Sequence, residues 1–239
     1  MEHAKLIRDA VETSGIALDD RKIHSLALFA DSVYYSNRLF NLTGHDSLED
    51  IVRDLIISSI EPFKDLNVPR GTVFCDLGSG AGVPGIPLSV LRNDLRGFLI
   101  ESSVKKTGFI SEVCVKMGME NVSVINARTE DVGKEERFRE FFGFAVSRAM
   151  GAPYVVIEMG APLVAAGGFL YIYSSLEMEN LHPDVIAHAE KLGMAGVGSG
   201  NHKNFGIGET GLLFIKKDHT DRKFPRRYPV ISREADKIR

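Results

Sequence analysis

Three glycines at alternate positions form the most informative local pattern in the chain. Gly78, Gly80 and Gly82 lie within residues 76–87, directly after a short apolar run and before a segment compatible with a helix. Glycine allows a tight turn and lets a ligand approach bare backbone, and the N–H groups of the turn and of the following helix favour polar or negative groups. The pattern therefore predicts a ligand-binding turn between a strand and a helix.

Two acidic residues belong to the same pattern. Glu101 follows Gly80 by 21 residues, at the end of the next predicted strand, which is about where a nucleotide-binding fold places the acid that accepts the ribose hydroxyls. Asp76 stands two residues before the first glycine, where a carboxylate can orient the turn and face the cationic amine of a ligand. S-adenosylmethionine carries both a ribose and an α-amino group, so the pattern favours this methyl donor.

The same glycines leave two other interpretations open. Gly80, Gly82 and Gly85 match the G-x-G-x-x-G fingerprint of dinucleotide-binding proteins, but a lone match is weak evidence, and that fingerprint calls for no acid at position 76. The glycines could also do no more than join a strand to a helix. No G-K-[ST] follows them, which argues against a P-loop NTPase. The methyl donor remains the favoured ligand.

The elements around the turn follow from the spacing of apolar residues. Residues 19–41 carry apolar side chains at helical spacing, and a second helix is predicted over 47–60, ending before Pro62. The middle of the chain instead alternates short apolar runs with helix-compatible segments, a pattern that predicts strands buried on both faces. The predicted strands are 72–77, 97–100, 122–125, 144–147 and 168–173.

This series predicts an α/β protein with a Rossmann-like, mostly parallel sheet and helices on both faces. We expect an N-terminal helical extension over 1–66, the core over 67–217 and a basic C-terminal tail over 218–239. The segment 193–211 holds seven glycines in 19 residues and is predicted to be a mobile loop, after which the apolar run 212–215 closes the fold.

Composition and cysteine usage exclude several classes of protein. The 239 residues are 44% hydrophobic and 26% charged, which is typical of a soluble globular protein. Cys75 and Cys114 are 39 positions apart and support neither a disulfide framework nor a zinc site, so we expect no metal. Residues 1–10 lack the apolar stretch of a signal peptide, and no apolar run approaches the roughly 20 residues needed to cross a bilayer. We expect a cytoplasmic protein that does not associate with membranes.

The charge is distributed unevenly along the chain. Residues 216–239 contain nine Lys/Arg against four Asp/Glu, a net charge of +5, which leaves −8 of the total of −3 for residues 1–215. A cationic segment on an acidic body predicts contact between this segment and RNA phosphate. Its removal is then expected to weaken RNA binding and to leave donor binding intact.

Several short motifs, taken in order, resemble those of the bacterial RsmG family, also known as glucose-inhibited division protein B. The family comprises 16S ribosomal RNA guanine-N7 methyltransferases. The resemblance therefore implies a class I S-adenosylmethionine-dependent methyltransferase, a guanine in the 530 loop of 16S rRNA as acceptor, and the small ribosomal subunit or its RNA as partner of a monomer. The motifs are Asn41-Leu42-Thr43, residues 76–88, Glu101-Ser102 with Lys105-Lys106 and Phe109, Arg128-Thr129-Glu130, Ser147-Arg148-Ala149 and the ending 224–229.

The resemblance also assigns residues to the donor site, because it maps the family's donor-binding positions onto this chain. With the acids and glycines argued above, the predicted donor site is Asp76, Gly78, Gly80, Val83, Glu101, Thr129, Glu130 and Arg148. Arg148 is also the predicted catalytic residue. Guanine N7 carries a lone pair and no proton, so methyl transfer needs alignment rather than a base, and a guanidinium fork can hold a guanine edge, a phosphate or the donor's carboxylate.

The sequence departs from the family pattern at four positions. The family's His-Ile-Leu-Asp-Ser-Leu segment is 54–59 here, without its histidine and its aspartate, while Ser36 replaces a tryptophan and Tyr173 a lysine. These positions are expected outside the donor pocket. They leave open a protein or small molecule as acceptor, or an inactive ribosome-associated paralogue. Lys105 and Lys106 are predicted to face solvent, and the histidines and cysteines to be surface or structural residues.

Overall fold

A seven-stranded sheet forms the centre of the structure, a computed structural model that describes residues 2–208 and 210–238. Its strands are β1 (Val73–Leu77), β2 (Arg96–Glu101), β3 (Val122–Asn126), β4 (Phe142–Arg148), β5 (Val164–Tyr173), β6 (Met194–Val197) and β7 (Leu212–Lys216). They lie in the order β3-β2-β1-β4-β5-β7-β6, with β1 to β5 parallel and β7 antiparallel to both of its neighbours. The predicted α/β fold with a mostly parallel sheet is confirmed.

Helices cover the sheet on both faces. They are α1 (Glu2–Thr13), α2 (Asp20–Asn37), α3 (the consecutive turns Leu48–Asp50, Ile51–Ile57 and Ser58–Ile60), α4 (Gly85–Leu91), α5 (Val104–Lys116), α6 (Thr129–Val132), α7 (Pro153–Gly160), α8 (Pro183–Lys191) and α9 (Tyr228–Ala235). Short 3₁₀ turns add Glu61–Phe63, Met178–Asn180 and Ser199–Phe205. No helix among residues 2–208 and 210–238 is long and apolar enough to cross a membrane.

The N-terminal helices share one hydrophobic core with a face of the sheet. Phe74, Phe144 and Phe169 stack across three strands with ring centroids 5.1 and 4.9 Å apart, and Phe63, from the turn after α3, packs against Phe144 at 6.5 Å. Burial of large aromatic rings is a major source of stability. Phe63 therefore attaches the end of α3 to this stack, and buried residues of α1 and α2 belong to the same core.

Two local hydrogen-bond patterns set the ends of the N-terminal helices. The predicted helix 19–41 ends at Asn37, because the Asn37 Oδ1 accepts the N–H groups of Leu42 and Thr43 (2.9 and 2.8 Å) and turns the chain. Ser47 caps α3 by accepting the N–H of Asp50 at 3.0 Å. Within α3, residues Ile51–Ile57 are π-helical, a wide form of helix that is uncommon and frequent at functional sites.

The predicted loop over 193–211 is wrong, because this segment contains β6 and a 3₁₀ helix. His202 is buried, with Nδ1 lying 3.0 Å from the Gly208 carbonyl and Nε2 lying 3.3 Å from the Val197 carbonyl. Phe205 packs against Phe169 with ring centroids 5.7 Å apart. These side chains order a glycine-rich segment whose composition alone favours a loop.

The C-terminal segment 218–238 is also packed against the core. Phe224 is buried, and the Arg226 guanidinium forms ion pairs with the fully buried Glu158 (2.6 Å) and with Glu234 (2.8 Å). Lys216, at the end of β7, is buried and donates to the Ala161 carbonyl at 2.6 Å. Part of the positive charge expected from this segment is therefore neutralised inside the protein. The division of the chain at 66 and 217 stays a prediction.

Candidate active site

The strand order reverses between β1 and β4, which opens a crevice at their carboxyl ends. Strand β1 pairs with β2 on one side and with β4 on the other. The strands after β1 are therefore added on one side of it, and those from β4 onward on the other. Open α/β sheets bind ligands at such a switch point. The glycine turn follows β1 at this place, and Gly78, Gly80 and Gly82 have φ of +69°, +57° and +84°, values that favour glycine.

Glu101 locks the glycine turn to the end of β2. Its carboxylate accepts the Gly80 N–H at 2.9 Å and the Ser103 N–H at 2.7 Å, and the side chain is half-buried. Charge-assisted bonds of this type are among the stronger hydrogen bonds in proteins. The predicted ribose-binding acid therefore stands at the turn and keeps lone pairs for a ligand.

Asp76 lies beneath the turn rather than facing the crevice. It is fully buried, and its Oδ2 accepts the Gly85 N–H at 2.9 Å. Its Oδ1 is also buried and has no hydrogen-bond partner among the described residues. Burial raises the pKa of this carboxyl to about 7, although the Gly85 N–H acts in the opposite direction. Asp76 thus orients the turn from below and lines neither of the two cavities above it.

Two adjoining cavities occupy the crevice and share Gly78, Glu101 and Met150. The first, called the turn cavity, has a volume of ≈ 370 Å³, and the second, called the C-terminal cavity, has a volume of ≈ 310 Å³. The turn cavity is lined among others by Thr43, Gly80, Val83, Lys106 and Arg148. The C-terminal cavity is lined among others by Arg128, Thr129, Glu130 and Tyr228. Together the two cavities, called the cleft, bring together all predicted donor-site residues except Asp76.

The C-terminal cavity has one wall from the end of β3 and one from the C-terminal segment. Thr129 is buried at the first position of α6, and the Glu130 Oε1 accepts the Tyr228 N–H at 3.3 Å. Sequence reasoning missed Tyr228, because 98 positions separate it from Glu130 and nothing near it in the chain indicates this contact.

Arg148 lies in the wall of the turn cavity and is held there by α3. Its guanidinium donates to the Ser58 Oγ (2.8 Å), the Ser59 Oγ (3.2 Å) and the Asp54 carbonyl, and it lies 5.7 Å from the centre of the Tyr173 ring. Burial lowers the pKa of this half-buried group. The guanidinium is thereby fixed in one orientation.

Lys106 is a second cation of the turn cavity, although it was predicted to face solvent. It lies in the first turn of α5, directly above the end of β2, and it makes no ion pair with any described residue. The signal that could have found it is its place five residues after Glu101, because a helix that starts at a strand end holds its first turn over the crevice.

Comparison with known proteins agrees with this geometry. A model of the GidB family, described as rRNA small subunit methyltransferase G, matches residues 22–200. The chain belongs to this family. A relative of that name from Moorella thermoacetica is 30% identical over 230 residues, 93% of this chain and 94% of the relative. One from Mycoplasmoides gallisepticum is 28% identical over 233 residues, 96% of each chain. A chain from the structure titled "Complex between the Haloferax volcanii Trm112 methyltransferase activator and the putative methyltransferase" has the same fold, with a TM-score of 0.52 and 13% identity over 80% of this chain and 98% of that chain.

Two of the four positions at which this chain departs from the pattern of the rRNA small subunit methyltransferase G family, Asp54 and Tyr173, lie beside Arg148. Asp54, Ser58 and Ser59 supply the three acceptors of its guanidinium, and Tyr173 lies beside it with its hydroxyl donating to the Ser59 carbonyl. In agreement with the expectation that the departures lie outside the pocket, neither Asp54 nor Tyr173 lines either cavity of the cleft. They contact Arg148, which does line the turn cavity.

Proposed function

We propose that this protein transfers a methyl group from S-adenosylmethionine to N7 of a guanine in the 530 loop of 16S rRNA, acting in the cytoplasm on the small ribosomal subunit or its RNA. The observation that carries the proposal is the cleft at the carboxyl ends of β1 and β4, in a chain that belongs to the rRNA small subunit methyltransferase G family.

The residues of the cleft fit this donor. Glu101 would accept the ribose hydroxyls where the two cavities meet, and Thr129 and Glu130 would contact the adenine edge in the C-terminal cavity. The bare backbone of Gly78 and Gly80 and the side chain of Val83 would face the methionine part in the turn cavity. When bound, S-adenosylmethionine supplies an electrophilic methyl group on a sulfonium.

The residues of the cleft also suit an acceptor that keeps no proton at the reacting atom. No histidine among the described residues lines either cavity, and guanine N7 needs no base because its lone pair is free. Arg148 is bound to three oxygen acceptors on α3, which fixes its guanidinium in the lining of the turn cavity and suits it to an alignment role.

The decisive experiment is methyl transfer from labelled donor to unmethylated small subunits and to free rRNA, followed by digestion to nucleosides. Label in 7-methylguanosine supports the proposal. Label in another acceptor, or no label, contradicts it.

Substitution of Glu101 tests the donor assignment. Glu101→Ala removes a charged acceptor of hydrogen bonds, each worth about 1.5–3 kcal/mol, so calorimetry should show donor affinity weakened by about tenfold or more. Because Glu101 also holds the Gly80 and Ser103 N–H groups, Glu101→Gln serves as a milder second variant, expected to retain part of the affinity. Glu112→Ala, on the exposed side of α5, should bind normally. Unchanged affinity of Glu101→Ala, or tight binding of NAD by the wild type, would reject the assignment.

A further inference from the structure

Two unpaired cations line the cleft, one in each of its cavities. Lys106 lines the turn cavity and Arg128 lines the C-terminal cavity, and the two cavities adjoin at Gly78, Glu101 and Met150. Neither side chain has an ion-pair partner within residues 2–208 and 210–238. The third cation of the cleft, Arg148, is bound to α3 instead. Lys106 and Arg128 are therefore the cations of the cleft that remain available to an anionic partner.

The carboxylates of the same cavities are already engaged. Glu101 accepts two backbone N–H groups, and Glu130 accepts the Tyr228 N–H. Neither lies within ion-pair distance of Lys106 or Arg128. The two cations are therefore not held by the acids around them.

The neighbours of these two cations extend the positive surface along the rim of the cleft. Lys105 is exposed beside Lys106, with its Nζ 4.4 Å from the centre of the Phe40 ring, and Arg227 is exposed beside Tyr228. Other cations near the C-terminus are neutralised: Arg222 pairs with Glu136, Lys223 with Asp221, and Arg226 with Glu158. Free positive charge of the C-terminal segment thus adjoins the C-terminal cavity.

We infer that Lys106 and Arg128 bind backbone phosphates of the RNA on the two sides of the target nucleotide, whose base enters the turn cavity between them. The inference rests on the proposed function. A lysine is a compact charge for a phosphate, and an arginine fork binds phosphate in two-point geometry. Phosphate contacts position an RNA without reading its sequence. The two contacts therefore orient the strand and leave recognition of the base to the turn cavity.

The test compares Lys106→Gln, Arg128→Gln and the double variant with two matched controls, Arg96→Gln and Lys217→Gln. Arg96 and Lys217 are exposed cations without ion-pair partners in the described part of the chain, and they lie at the start of β2 and after the end of the antiparallel β7, both at the opposite edge of the sheet. RNA affinity is measured from low to physiological salt, and donor affinity by calorimetry. In a plot of the logarithm of RNA affinity against the logarithm of salt concentration, each single variant should flatten the slope by about 0.7, the value for one phosphate contact on a single strand. The double variant should flatten it by the sum of the two effects, and the controls should leave it unchanged. Donor affinity is measured on the same variants, because both residues line the cleft that holds the donor in the proposed function.

Three outcomes overturn the inference. A wild-type salt slope in the double variant excludes phosphate contact by these residues. Weakened donor affinity with an unchanged RNA slope assigns the two cations to the donor instead. A wild-type protein that transfers no label to rRNA overturns the proposed function and this inference together, whereas normal transfer with an unaltered slope overturns this inference alone.

Discussion

The carboxyl of Asp76 makes the stability of the glycine turn depend on pH. Burial raises its pKa to about 7, against the opposing effect of the Gly85 N–H, whereas an aspartate in an unfolded chain has a pKa of about 3.9. Between about pH 4 and 7, Asp76 therefore keeps a proton in the native state that it has already released in the unfolded chain. The stabilisation that this proton provides is fully present below the pKa of Asp76 in the unfolded chain, and it is lost as the pH rises to the pKa of Asp76 in the folded protein.

Asp76→Asn removes this titration and tests the argument. The free energy of unfolding of the variant, relative to wild type, should rise as the pH goes from about 4 to 7 and then level off, since each unit of pKa shift corresponds to about 1.4 kcal/mol. Urea unfolding across this range measures it. Asp94→Asn is the control: hydrogen bonds from Arg92 lower the pKa of Asp94, so its contribution is lost only at lower pH and its difference from wild type should stay constant. A constant difference for Asp76→Asn contradicts the argument.

Arg148 combines an alignment role with a structural one. Arg148→Lys keeps the charge and loses the fork that reaches Ser58, Ser59 and the Asp54 carbonyl. We expect the rate of rRNA methylation to fall by about 10²-fold, the cost of a misplaced reactant. The free energy of unfolding should fall by about 1–3 kcal/mol, because the charged hydrogen bonds from the guanidinium to α3 are lost.

The effect of Arg148→Lys on alignment can be separated from its effect on stability by measuring the methylation rate well below the unfolding transition. Arg53→Lys is a control, because Arg53 pairs with Asp50 and Asp54 at the exposed surface. A wild-type rate in Arg148→Lys would leave Arg148 with the structural role alone.

At the scale of single residues, the sequence predicts what is local. The glycine turn and Glu101 follow from short spacings, because turn geometry and strand length fix their positions. The partners of Arg148 lie about 90 positions away, so their contact depends on how α3 packs on the sheet. The single sequence contains no signal for that packing.

At the scale of elements, Tyr228 shows how the start of α9 completes the C-terminal cavity. Its N–H binds Glu130, and its side chain lines the cavity opposite the end of β3. Tyr228→Ala should weaken donor binding several-fold by calorimetry, because it opens the wall beside the adenine, while Tyr228→Phe should bind almost normally. Val230→Ala, an exposed apolar residue on the same helix, is the matched control. Equal donor affinity in Tyr228→Ala and Val230→Ala would remove Tyr228 from the donor site.

Elements whose apolar pattern is continuous could be predicted, and those ordered by tertiary contacts could not. The predicted strand 122–125 is observed as Val122–Asn126, and 212–215 as Leu212–Lys216. By contrast, two of the four residues of β6 are Ala195 and Gly196, and the strand is held by pairing with β7. Its neighbours in space supply the order that its own composition lacks.

At the scale of the whole molecule, alternating helices and strands predict the parallel sheet, since crossover connections are right-handed and short. The antiparallel insertion of β7 between β5 and β6 was not predicted, because it depends on recognising β6. The sequence predicted which segments of the chain carry a net positive or negative charge, but not where those charges lie in the folded protein. Buried partners such as Glu158 neutralise cations that the composition counts as available.

Removal of residues 219–239 is expected to destabilise the protein and to abolish donor binding, which differs from the sequence-based expectation that donor binding survives it. Glu158 is fully buried, and burial raises its pKa, but hydrogen bonds from Arg226 and His188 outweigh that effect and bring the pKa to about 2. Truncation removes Arg226 and leaves this charge without its strongest partner, at a cost of about 3–5 kcal/mol, and it also removes Tyr228. We expect a lower denaturation midpoint and loss of donor binding in calorimetry.

Two further variants decide whether this loss comes from the fold or from the charge of the segment. Arg226→Gln keeps the chain length and should reproduce most of the destabilisation. The triple variant of Arg227, Arg233 and Lys237 to Gln removes exposed cations that make no ion pair in the described part of the chain, so it should keep both stability and donor binding and lose only RNA affinity. A truncated protein that binds donor normally would show that the segment is dispensable for the cleft. The ion pair between Arg226 and Glu158 would then stabilise the fold without shaping the cleft.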